Sequence, residues 1–291
     1  MPRWHDAESR STQAWVAAAF LTILLCVSYS ARATALQEAQ DRRDADIEAG
    51  QPLIAHVVVA LCDNESQGIV PVPARLGNGN DPANNLYWGA MYGVRSYFRR
   101  SSEWRSLPIG KSADARVLDR ALFSRELLSE GRRVEILLLA EAWQGNQIAA
   151  SIEHFLAINR GEHVESLRVG DRDVAFGGAS HVIAFVGHNG LMDFQAPELP
   201  RSAVKPRAHA SMVLACLSQD YFSVLLKPYS APLLTTRGLM APEAYTLDAA
   251  LTSWFSGEPA SAVQLAAARA YAHYQKTSER AALRLFAVPK E

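Results

Sequence analysis

Apolar residues recur along this chain in short blocks separated by longer amphipathic stretches. Residues 55–62 (AHVVVALC) form the first block. It is valine-rich and unbroken, as in a strand buried on both faces. Similar blocks lie at 134–140 (VEILLLA), 182–186 (VIAFV), 212–215 (MVLA) and 232–236 (PLLTT). These five predict strands. Between them, the spacing predicts helices over 86–100, 115–129, 142–158, 221–226, 243–255, 261–274 and 278–286. Ile148, Ile152, Phe155 and Leu156 make one apolar stripe. Residues 165–176 have the look of a hairpin, and the polar stretch 34–50 that of a flexible or helical leader. The Gly/Pro/Asn-rich stretch 67–85 is too long for a mere connection, and long loops at strand ends tend to be functional. Strands alternating with helices predict an α/β fold with a mostly parallel sheet and helices on both faces.

The N-terminus departs from this alternation. Residues 14–30 (AWVAAAFLTILLCVSYS) are almost wholly apolar, follow Arg3 and Arg10, and precede Ala31-Arg32-Ala33. A short apolar run before a small-x-small site suits an export signal cleaved after Ala33. The alternative is an uncleaved inner-membrane anchor, with membrane association through this segment. Either places the folded part outside the cytosol, in the periplasm or beyond. The division expected is therefore 1–33 signal or anchor, 34–50 polar leader, and 51–291 a single α/β domain. A chain of 291 residues with 49% hydrophobic residues is long enough for one sizeable core.

Charge narrows the partners. The formal net charge is -1, so no basic field suits nucleic acid. Without residues 1–33, two cysteines remain, Cys62 and Cys216. Outside the cytosol an even pair is most often a disulfide. No spacing resembles a zinc cluster, no metal set is assigned, and no cofactor signature is visible.

Two apolar blocks end at reactive side chains. One is His181-Val-Ile-Ala-Phe-Val-Gly-His-Asn-Gly190, ending at His188; the other is Ser211-Met-Val-Leu-Ala-Cys-Leu-Ser-Gln-Asp220, ending at Cys216. In α/β enzymes, reactive groups sit where parallel strands end. Cys216 is the candidate nucleophile and His188 its base, later the acid for the leaving amine. A turn from strand into helix would expose the sulfur. Asp63 is the candidate orienting acid, or a cap of its own turn. Asp193 and Asp220, close in sequence to the pair, are candidate pocket acids favouring Lys or Arg, or plain surface residues. The bland readings are a histidine closing a strand and a buried thiol or a partner for Cys62.

These two segments resemble the caspase-like superfamily of cysteine peptidases, which includes legumain, caspases, gingipain and clostripain. Its marks are an apolar strand ending in His-Gly and another ending in Ala-Cys. Ala215-Cys216 keeps the second mark, whereas Asn189 separates His188 from Gly190 in the first. Ser218, Phe222, Gly190-Leu191, Phe194 and Thr235-Thr236 are similar to the legumain-like branch. The resemblance spans about residues 57–251. It implies a caspase-like three-layer sandwich and an exported cysteine endopeptidase acting on a peptide or protein substrate. It also implies an oxyanion site lined by N–H groups near Gly190 and Cys216, with Ser218 and Thr236 beside the pocket. Were the strand order that of the family, Cys62 would lie at the rim of the site, as a regulatory thiol able to pair with Cys216. The competing readings are a non-catalytic binding or scaffold protein of the envelope, and another cysteine-dependent amide or thioester hydrolase.

Overall fold

The computed structural model describes residues 34–129, 131–198 and 204–289. The proposed export segment lies outside them. Among the described residues, no helix is long and apolar enough to cross a membrane.

In chain order the helices are α1 (Ala35–Glu48), α2 (Val94–Arg100), α3 (Ile148–Asn159), α4 (Ser218–Leu226), α5 (Ala244–Phe255), α6 (Ala260–Gln275) and α7 (Glu279–Leu285). The strands are β1 (Leu53–Ala60), β2 (Arg105–Leu107), β3 (Val117–Ser129), β4 (Arg132–Trp143), β5 (Glu165–Val169), β6 (Arg172–Phe176), β7 (Val182–Val186), β8 (Ala210–Leu214), β9 (Ala231–Thr236) and β10 (Phe286–Ala287). Eight strands form one mixed sheet in the order β10-β9-β8-β7-β1-β4-β3-β2. Its middle, β9 through β4, is parallel. Both ends close with antiparallel strands, β10 on one side and β3 and β2 on the other. The sheet is therefore less parallel than the sequence suggests.

Helices cover both faces, because the central strands are apolar on both sides. Leu53, Ala55, Val57 and Val59 pack in one cluster with Val94 and Phe98 of α2, Trp254 of α5 and Val263 of α6. Val58 and Ala60 face Ile152 and Phe155 of α3 and Phe222 of α4. The β5-β6 hairpin covers the same strands further along, where Phe176 and Val174 meet Ile54 and Leu139. The polar leader is α1. Arg43 donates to the Trp254 carbonyl at 2.9 Å and stacks 4.5 Å over the Trp254 ring. Arg42 donates to the carbonyls of Ala179, Ser180 and Ala208.

The helix predicted over 115–129 is a strand. Leu122, Phe123 and Leu127 also satisfy a helical pattern, but pairing with β4 along the whole of β3 prevails. The helix predicted over 86–100 forms only from Val94. At Gly89, a side chain would meet the Ala83 carbonyl oxygen at 2.0 Å, so this segment follows a tight series of turns.

Candidate active site

The sequence places His188 and Cys216 on matched turns. Strands β7 and β8 pair in parallel with Val186 opposite Leu214. Each chain then runs two residues further, to His188 and to Cys216. Gly187 makes the first turn possible. Its φ is 152°, and a side chain there would meet the Ala60 carbonyl oxygen at 2.8 Å. Leu217, directly after the cysteine, holds a left-handed φ of 52°. Such strain in a branched residue persists only where its surroundings impose it. Here the Leu217 N–H is donated to the Gly238 carbonyl at 3.0 Å, and α4 begins at the next residue.

Asn189, the residue that interrupts the His-Gly pattern, joins the two turns. It is fully buried. Its Nδ2 donates to the Cys216 carbonyl at 2.7 Å, and its Oδ1 accepts from the Leu191 N–H at 3.1 Å. The same side chain thus caps the short 3-10 turn Gly190–Met192. That turn brings Asp193 back onto His188, whose Nε2 lies 2.7 Å from the Asp193 carboxylate. The same carboxylate oxygen accepts from the Gly68 N–H at 3.0 Å, so the 67–85 loop rests on it.

The acid that holds His188 is therefore Asp193. Asp63, the acid expected from sequence, caps its own turn through the Glu65 N–H at 2.9 Å and is tightly enclosed by Gly79 and Gly145. The Gly190 N–H is donated to the His188 carbonyl at 3.1 Å, inside its own turn. Ser218 and Thr236 are buried and bind each other instead of lining a pocket. Ser218 Oγ donates to the Val213 carbonyl at 2.8 Å and accepts from the Thr236 N–H at 2.9 Å, while Thr236 Oγ1 donates to the Ala215 carbonyl. Together they lock the strand ends beneath Cys216. Asp193 and Asp220 line an open groove of about 500 Å³ with Leu191, Phe194, Tyr221 and Val224, a lining that includes neither His188 nor Cys216.

The two described cysteines, Cys62 and Cys216, are both free. Cys216 is partly exposed, and the Met240 N–H donates to its sulfur at 3.4 Å. A thiolate could use that donor. Cys62 is fully buried at the end of β1, and β1 lies beside β7. Asn85 holds the Cys62 backbone at both its N–H and carbonyl. Burial pushes the Cys62 thiol up to about 11, against a hydrogen bond from Tyr87.

A second polar cluster leaves no mark in the sequence, because its members come from three separate elements. His56 of β1, Glu141 of β4 and His154 of α3 meet at a cavity of about 710 Å³. Burial opposes ionisation of Glu141, yet His56, His154 and Arg120 bring its carboxyl down to about 2. Burial, joined by the charge of His56, lowers His154 to about 4.

No family model matches this chain, and no curated protein or solved structure is significantly similar to it.

Proposed function

We propose that this protein is an exported cysteine-dependent hydrolase of caspase-like fold, acting on peptide bonds. Cys216 is the nucleophile, His188 the base and then the acid, and Asp193 the group that orients His188. The observation that carries this reading is the matched pair of turns leaving β7 and β8, tied by Asn189 to the Cys216 carbonyl. That arrangement puts a thiol and an imidazole at the same level on neighbouring strands, where α/β sheets usually bind ligands.

In the proposed reaction, the Cys216 sulfur attacks the scissile carbonyl and His188 passes a proton to the departing amine. The acyl-enzyme then falls to water activated by the same ring. With the Gly190 N–H engaged, the Cys216 N–H remains the oxyanion donor of this reading. The groove bearing Asp193 and Asp220 suits a basic side chain, with Asp220 the freer charge because His188 already holds Asp193. The apolar run at 14–30 supports action in the periplasm or beyond.

One observation favours a second reading, a binding or scaffold protein built on a peptidase fold. The Gly190 N–H is spent inside its own turn. Labelling the native protein with a thiol-reactive electrophile, mapped by mass spectrometry, separates the two. Fast labelling at Cys216 that falls about 100-fold or more in His188→Ala supports the dyad. Slow labelling independent of His188 sinks it. A reactive Cys216 without cleavage in a peptide-library screen would redirect the assignment to an amide or thioester hydrolase.

A further inference from the structure

We propose that His56, Glu141 and His154 form a second site, which binds a transition-metal dication of the zinc class. The site lies apart from Cys216, against α3 on the opposite side of β1 from α2 and α5. Its argument does not depend on the peptidase reading.

The geometry comes first. The ligand atoms of the three residues lie within 4.8 Å of one another. His56 Nε2 is 3.3 Å from Glu141 Oε2, and His154 Nε2 is 3.7 Å from the same oxygen. Donors bound at about 2.0 Å around a tetrahedral ion stand about 3.3 Å apart. Closing His154 on the carboxylate, and the two rings on each other from a separation within 4.8 Å, meets the spacing. The donor set, two imidazoles and a carboxylate, is one that zinc accepts.

The second observation is an orphan. His154 Nε2 is buried and has no hydrogen-bond partner among the described residues. A buried polar atom without a partner calls for an explanation, and an unplaced ion is one. The third is support around the carboxylate. Arg120 Nε lies 3.2 Å from Glu141 Oε1, and Arg120 is held in turn by Glu165 at 3.1 Å. Oε1 thus faces the guanidinium as an ion pair, without a hydrogen bond from Arg120 Nε, and Oε2 faces the two rings. The cavity of about 710 Å³ opens on the cluster, providing a route in and a coordination position for water.

His56 is the costly member. The Gly177 N–H donates to its Nδ1 at 3.0 Å, so the ring proton sits on Nε2 and points at Glu141. Binding at Nε2 displaces that proton. The Gly177 N–H is then set against any hydrogen that Nδ1 acquires. Glu141 and His154 accordingly carry most of the affinity.

The test is a titration of metal-free protein with zinc, using equilibrium dialysis and elemental analysis, and with cobalt(II), using visible absorption. The expected result is one zinc per chain and a cobalt spectrum without a sulfur charge-transfer band. Glu141→Gln and His154→Ala should lose the binding, and His56→Ala should weaken it by about 10-fold or more. Cys216→Ala and Cys62→Ala should leave it intact. If His154→Ala fails to fold by circular dichroism, His154→Gln takes its place. No zinc on the wild-type protein, affinity unchanged in both Glu141→Gln and the His154 variant, or loss of the ion in Cys216→Ala would each overturn the site.

Discussion

Cys62 and Cys216 occupy equivalent places, each two residues past the end of a central parallel strand, yet their surroundings oppose each other. Around Cys62 the chain is closed: Asn85 fills the backbone positions, the residue is fully buried, and the thiol is pushed up to about 11. Around Cys216 it is open: the residue is partly exposed, an N–H points at the sulfur, and a strained Leu217 turns the chain away. A strand end thus provides a position, and the residues after it decide whether a thiol there is chemical or structural.

The sharpest way to break this contrast is to exchange each sulfur. Cys216→Ser should abolish electrophile labelling near neutral pH, whereas Cys62→Ser should leave the rate unchanged. In the wild type, mass spectrometry should find label on Cys62 only as the pH approaches about 11. Equal labelling of both cysteines at neutral pH would erase the distinction.

A smaller effect concerns the link between the turns. Asn189→Ala removes the bond to the Cys216 carbonyl and should slow labelling of Cys216 by up to about 100-fold, because small displacements are costly to reacting groups. Labelling of an unfolded control should not change. An unaltered rate in the folded variant would reduce Asn189 to a packing residue.

The smallest effect sets the acid limit of these comparisons. Burial holds His181 and His209 down at about 4, against an ordinary 6.5. The unfolded chain therefore takes up protons first as the pH falls. Stability should be full above about pH 6.5 and decline toward pH 4, seen as a falling midpoint of thermal unfolding. A midpoint independent of pH over that window would contradict the buried neutral rings.

His188 and Cys216 were legible because apolar blocks of strand length stop abruptly at them. The adjacency of their strands, β7 and β8, accords with the rule that sequential strands usually lie side by side. Asp193 was not legible as the partner of His188. Its position depends on a 3-10 turn that Asn189 caps, and no linear pattern encodes that turn. β3 reads as a helix in the sequence because its apolar residues fit a helix as well as a strand, and only the partner β4 decides. The His56, Glu141 and His154 cluster lay hidden for a related reason. The first two are 85 positions apart, and a sheet brings them together only after every strand has found its register.

The clasp of Arg43 on Trp254 has a consequence for how the chain matures. The contact spans 211 positions, so this clasp cannot form until α5 has been made. Closing so long a loop is slow and belongs late in folding. In a chain delivered N-terminus first through a narrow pore, the clasp would stay open during most of the passage and would shut only when α5 arrived.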